Sequence, residues 1–177
     1  MMPTDEEAMR AVAQGNLDQA GLLFERYHMR LFNFFLRMVA DRDLGQDLAQ
    51  NVFVRVLRYR ASYHHGQPFR AWLYQIARNV ANDHFAKQKL RPVGLAPAHA
   101  QVPAQDGAER AEQVAALHLA LGQLPASDRE LLVMSRYQDL KYEEIAQSTG
   151  QTQGAVKVKV HRAIKKLREI YFRLSEG

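Results

Sequence analysis

Residues 141–168 read KYEEIAQSTGQTQGAVKVKVHRAIKKLR, and this stretch decides the fold, because it lays out a short helix, a glycine turn and a second helix dense in positive charge. Ile145 and Ala146 mark the apolar face of the first helix. Val156, Val160, Ile164 and Leu167 recur at i, i+4, i+8 and i+11 on the second, the spacing of one buried helical stripe. Gly150 falls where a tight turn between crossed helices needs a residue free to take positive φ, and Thr152 is placed to cap the second helix. The opposite face is left to Lys157, Lys159, His161, Arg162, Lys165 and Lys166. Residues 151–168 hold six Lys or Arg and no Asp or Glu, whereas residues 112–150 hold six acids against three basic residues. Polarising charge within one small module is the arrangement expected when one helix faces phosphates, so the stretch points to DNA. The alternation of Val156, Val158 and Val160 with Lys157 and Lys159 also fits an edge strand. Helical spacing continued through Ile164 and Leu167 favours the helix.

Working outward, 177 residues at 47% hydrophobic content allow one large or two small cores. Without a cysteine, neither a disulfide framework nor cysteine-ligated zinc can hold the fold, which favours a cytosolic protein. The acidic start MMPTDEEAMR lacks an apolar signal core, and no run of about 18 apolar residues is present to span a bilayer, so a soluble chain is expected. A net charge of +5 and a pI near 9.6 suit an anionic partner.

Residues 92–108, PVGLAPAHAQVPAQDGA, contain three prolines, two glycines and no aromatic residue, the composition of a flexible linker. Extended, these residues could span on the order of 50 Å, enough for two modules to reach separate DNA sites. The N-terminal module reads as helices throughout. Thr4 and Glu7 form a capping box for a short helix to about Gln14. Asn16 is placed to cap a long helix carrying Leu17, Phe24, Tyr27, Leu31, Phe35 and Met38, and Asp43 to cap Leu44 to about Tyr59. Pro68 suits the first turn of a helix reaching about Lys89. The C-terminal module opens with a helix near residues 109–124, breaks at Pro125 and restarts at a Ser127/Glu130 capping box. The fold class is all-α: two small helical domains, residues 1–91 and 109–177, joined by a Pro-rich linker, with a helix-turn-helix in the second.

So laid out, the chain resembles the bacterial RNA polymerase sigma factors of the extracytoplasmic-function class. DLGQDLAQNVFVRVLRY at 43–59 is similar to the polymerase-binding segment of region 2. FRAWLYQIARNVANDHFAKQK at 69–89 is similar to the helices that open and read the minus-10 element, and residues 124–169 resemble region 4. The resemblance implies promoter-specific transcription initiation with core RNA polymerase, no enzymatic activity, no cofactor or metal, an anti-sigma protein as inhibitor, and a cytoplasmic location.

Leu48, Val52 and Val56 form the core stripe of the 47–57 helix. The resemblance makes Asp47, Gln50, Asn51 and Arg55 the polymerase-docking face; Asn51 stands where the family usually has Glu, which moves weight to Gln50. Phe69, Trp72, Tyr74, Arg78, Asn79, His84, Lys87 and Lys89 interleave rings with polar and basic groups, the composition expected where unstacked bases meet aromatic faces and phosphates meet cations. The resemblance selects Arg78, Asn79, Asp83 and Lys87 for minus-10 DNA, Asn79 reading a flipped base. It selects Thr152, Lys157, Lys159, His161, Arg162 and Lys166 for minus-35 DNA. Trp72, on a stripe with Ile76 and Val80, is expected in the core or at its edge. Leu73 follows it where housekeeping sigma factors pair two tryptophans, which implies weaker melting and stricter promoter choice. Lys141 replaces the usual Ser or Thr cap, removing an acceptor worth about 0.5–2 kcal/mol, and Val158 replaces a common Ser.

Catalytic signatures such as HExxH, GxSxG or a P-loop are absent, and His64 and His65 sit in a polar loop without acidic partners. The remaining rival, a dimeric helix-turn-helix regulator of an operator, explains residues 141–168 but leaves residues 43–89 without a role.

Overall fold

The computed structural model describes residues 1–89 and 107–176. Most of the expected linker, residues 92–106, lies outside them. The described residues form α1 (Asp5–Ala13), α2 (Asp18–Val39), α3 (Arg42–Arg58), a 3-10 turn (Arg60–Ser62), α4 (Phe69–Lys89), α5 (Ala108–Gln123), α6 (Ala126–Arg136), α7 (Tyr142–Thr149) and α8 (Gln153–Ser175), with no strand among them.

Helix starts follow local chemistry, with instructive departures. The Thr4/Glu7 capping box forms as expected: Thr4 N donates to Glu7 Oε2 at 2.8 Å and Glu7 N to Thr4 Oγ1 at 3.2 Å. Asn16 does not cap α2; Leu17 occupies that position without a side-chain bond, and Asp18 supplies the acidic first turn. Tyr27, Leu31, Phe35 and Met38 are buried as the stripe requires, but Leu17 and Phe24 are exposed, because the apolar face of α2 is wider than the core it covers. The cap of α3 is Asp41, not Asp43: its Oδ1 accepts from Leu44 N at 3.0 Å, two residues upstream of the expected acid. Between α2 and α3, Ala40 takes a left-handed φ of 53° as C-cap. Gly45 permits the close approach of the two helices, since a Cβ there would lie 3.3 Å from Leu36 N. α4 starts behind Pro68, whose carbonyl accepts from Trp72 N at 3.2 Å, and Glu6 Oε1 accepts from Phe69 N at 3.0 Å to tie α1 to it.

In the C-terminal module Pro125 separates α5 from α6, but the Ser127/Glu130 box does not form; α6 starts at Ala126 without a side-chain cap because Glu130 is engaged elsewhere. Lys141 supplies no cap to α7, yet half of a box survives: Glu144 Oε2 accepts from Lys141 N at 2.8 Å. Gly150 ends α7 at φ 67°, and Thr152 Oγ1 accepts from Ala155 N at 3.1 Å to start α8. Val156, Val160 and Ala163 are fully buried, Ile164 and Leu167 pack partly buried against Leu121, Leu124 and Leu132, and Val158 is 49% exposed.

The two helical groups do not stand apart. α4 packs on α7, and α2 on both α5 and α6. Phe34 and Tyr74 from the first group share one continuous buried cluster with Leu131, Met134 and Ile145 from the second.

Candidate nucleic-acid interface

Three surfaces and one cleft gather the candidate residues. On α3, Asp47, Gln50 and Asn51 are exposed at i, i+3 and i+4, while Leu48, Val52 and Val56 turn into the core. Arg55 continues that face. Its Nε donates to Asn51 Oδ1 at 3.1 Å and its Nη2 to Asp83 Oδ2 on α4 at 2.7 Å. A candidate docking residue and a candidate minus-10 residue are thereby joined, and the faces of α3 and α4 form one polar surface. Asn79 and Lys87 are exposed on α4 beyond Asp83.

Beside Gln50 lies an apolar groove that the sequence reading missed. Phe24, His28, Met29 and Phe32 of α2 line it with Arg42, Gln46 and Phe53 of α3. Phe24 is 43% and Met29 54% exposed, Phe24 stacks on His28 at 4.9 Å and meets Phe53 edge-on at 4.8 Å, and the Arg42 guanidinium lies 5.4 Å from the Phe32 ring centre. The signal was present: Phe24 and His28 are i, i+4 neighbours on a helix with more apolar faces than one core can bury.

Three of the rings of α4 are not available to bases. Trp72, at 5% exposure beside Tyr63 and Phe69, is in the core as expected, but Phe69 and Tyr74 are buried too, so the rings expected to meet bases are core instead. Tyr27, Phe34 and Tyr63 pack edge-on against them, so each ring is held by aromatic contacts within the core. The half-buried Phe85, paired edge-on with His84, remains at the rim.

On α8 every candidate, Thr152, Lys157, Lys159, His161, Arg162 and Lys166, is exposed. They divide into two rows. Lys157 and His161 lie one turn apart on one row. Lys159, Arg162 and Lys166 line a cleft of about 280 Å³ with Arg78, Asp128, Glu130 and Gln151. Lys166 Nζ donates to Asp128 Oδ2 at 2.6 Å and Lys159 Nζ to Gln151 Oε1 at 2.5 Å.

Arg78 is the candidate most changed by the structure. Rather than facing outward with Asn79, its Nε donates to the Glu130 carboxylate on α6 and its Nη1 to the Ser148 carbonyl at 2.9 Å on α7. Burial pushes the Glu130 carboxyl above its ordinary value, opposed by the pull of Arg78. Tyr74 donates to Gln138 Oε1 at 2.5 Å, and Arg70 Nη2 to the Gln138 carbonyl at 2.6 Å. Arg129 closes the other side: it donates to the Leu121 carbonyl at 2.8 Å and to the Met38 carbonyl of α2 at 2.5 Å. Sequence pattern could not find these partners, because Glu130 reads as a local cap and its real partner is 52 residues away.

Among the described residues no group of three or more His, Cys, Asp or Glu could hold a metal ion, and no helix is long and apolar enough to cross a membrane.

Residues 23–91 match the family described as Sigma-70 region 2, and residues 115–167 match Sigma-70, region 4. The RNA polymerase sigma factor CarQ of Myxococcus xanthus is 33% identical over 164 residues, covering 92% of this chain and 94% of that protein. The ECF RNA polymerase sigma factor SigE of Mycolicibacterium smegmatis is 30% identical over 180 residues, covering 94% and 69%. Among solved structures, CnrH in complex with the cytosolic domain of CnrY has a similar fold, at a TM-score of 0.74 and 24% identity, covering 94% of this chain and 96% of that one. So does the sigma factor RpoE in complex with the anti-sigma factor NepR from Bartonella quintana, at 0.73 and 24%, covering 85% and 94%.

Proposed function

This chain belongs to the sigma-70 family of RNA polymerase sigma factors, in the extracytoplasmic-function class, and from that premise we propose how its surfaces divide the work of directing promoter-specific initiation. Residues 1–91 act as region 2, residues 92–108 connect, and residues 109–177 act as region 4. Asp47, Gln50, Asn51 and Arg55 dock on core polymerase, with the Phe24/Met29 groove beside them supplying apolar area. Asn79, Asp83, Lys87 and, once released from Glu130, Arg78 meet minus-10 DNA. Thr152, Lys157, Lys159, His161, Arg162 and Lys166 meet the minus-35 element as α8 enters the major groove, behind a helix-turn-helix formed by α7, Gly150 and α8.

The observation that supports this reading is the Asn51–Arg55–Asp83 chain, a hydrogen-bonded link between the α3 face proposed to dock and the α4 face proposed to meet minus-10 DNA. A sigma factor needs that continuity, because promoter contacts must be fixed relative to the enzyme that uses them. The action is non-covalent, through positioning. With Trp72 buried and Leu73 behind it, strand opening leans on extrusion of a base toward Asn79, so melting is weak and promoter choice strict. An anti-sigma protein is the proposed inhibitor, in keeping with the complexes in which CnrH and RpoE were solved, and the protein works in the cytoplasm.

The test is transcription by core polymerase with the purified chain on linear promoter DNA and on the same template pre-melted across the minus-10 element. Asn79→Ala is expected to lower open-complex formation on the duplex, with the loss shrinking on the pre-melted template, since unstacking a base costs a few kcal/mol. Tight, sequence-specific duplex binding by the chain alone, without polymerase-dependent transcription on either template, would return the operator-binding regulator to favour.

A further inference from the structure

Val158 stands between the two basic rows of α8, 49% exposed, and belongs to neither apolar cluster of the described residues. At about 100° per residue it points directly away from the midpoint of Val156 and Val160, the buried valines on either side of it. The outward pole of the helix thus carries an apolar, β-branched side chain where Lys or Arg would favour the helix more. A single exposed apolar residue is ordinary on a protein surface. Val158 differs in its place: it lies in the N-terminal half of the helix, the part of a recognition helix that reaches base edges. His161 and Arg162 follow it at i+3 and i+4, and Gly154 and Ala155 precede it at i−4 and i−3. A Cβ built on Gly154 would meet nothing within 4 Å, so no contact within the fold requires glycine in this first turn, and the absent side chain leaves room for a groove wall beside Val158.

We propose that Val158 reads a thymine of the minus-35 element, its methyl groups seated against the C5-methyl of the base while the cations on either side meet phosphates. The proposal rests on the minus-35 reading of α8 given above and adds to it the class of base pair preferred at one position, A·T over G·C. In the major groove the one methyl group on any base edge is thymine's; the other groups that distinguish the bases are donors and acceptors. Valine offers neither. Against the amino group of cytosine or the oxygen of guanine it would strip water from a polar group and return no hydrogen bond, which disfavours those bases. A serine in the same place could bond either kind of pair, so the exchange of hydroxyl for methyl narrows the choice. Charge complements the apolar contact: Lys157 and His161 form one flank and Lys159 and Arg162 the other, as a groove bordered by two phosphate strands requires.

The experiment uses the full-length protein with core polymerase and a promoter selected by transcription from a random library. Each thymine of its minus-35 element, on either strand, is replaced in turn by deoxyuridine, which pairs with adenine as thymine does and lacks only the methyl. Wild-type holoenzyme is expected to bind about fourfold more weakly when one of these thymines is replaced, the factor that burying a single methyl commands. Val158→Ser should bind the thymine promoter about as weakly as wild type binds that uracil promoter, and should be indifferent to uracil there. Its salt dependence should match wild type, because a methyl contact releases no counterion. Uracil tolerated by wild type at every position, or a selected element with no thymine on either strand, overturns the proposal. So does a Val158→Ser chain as sensitive to uracil as wild type, since the methyl would then act through DNA shape and not through the valine. All three outcomes leave transcription, and with it the sigma-factor reading, standing. A chain that supports no transcription by core polymerase from any library promoter overturns that reading and this proposal together.

Discussion

At the scale of single residues, the six cations of residues 151–168 are not equivalent. Lys157 lies on the row of α8 that does not line the cleft, while Arg162 belongs to the row that does. A base contact by either is worth about 1–3 kcal/mol, and a phosphate contact shows in the salt dependence. Replacing both by Ala is expected to weaken minus-35 binding by that order within holoenzyme, to flatten the salt slope, and to leave folding intact because both side chains are exposed. Promoter affinity measured at several salt concentrations checks it, and an unchanged slope and affinity would remove α8 as the reader. The sequence identified which cations to test, since charge patterning on a helix is a local property. It could not identify Glu130 and Gln138 as the partners of Arg78 and Tyr74, because those pairs exist only once α4 meets α6 and the chain after it.

At the scale of elements, helix type and order were legible and helix starts were less so. Long stripes such as Tyr27, Leu31, Phe35 and Met38 repeat the same instruction many times, whereas a cap depends on one side chain competing with its neighbours. Asp41 won over Asp43, and Leu17 stands where Asn16 was expected to cap. The corner between α2 and α3 offers a test with opposite signs. Gly45→Ala places a methyl 3.3 Å from Leu36 N, and crowding two helices that make the main contact of the first module should cost about 1–3 kcal/mol. Ala40→Gly relieves a left-handed φ of 53°, a strain of about 1–2 kcal/mol, against a smaller entropic loss in the unfolded chain, for a net gain of about 0.5–1 kcal/mol. Urea unfolding of the two variants reads both directly; the same sign for both would mean the corner is not held as the geometry indicates.

At the scale of the whole molecule, composition and the Pro-rich stretch supported two modules, and two family matches in that order agree with it. Their mutual packing was not legible, because the residues that form it also satisfy local rules: Tyr74 reads as a ring on a DNA-facing helix, Ile145 as the core of its own module. That shared core has an optical consequence. The chain holds one tryptophan, and Trp72 sits against Tyr63 and Phe69 inside the first module, so its emission reports that module while far-UV ellipticity is dominated by helices throughout, the 23-residue α8 included. If one core serves both, the two signals should trace a single melting curve with a common midpoint. Gln138→Ala should split them into two, the emission change and the remaining loss of ellipticity no longer coinciding, and a wild-type chain that already melts in two steps would mean its halves unfold as strangers.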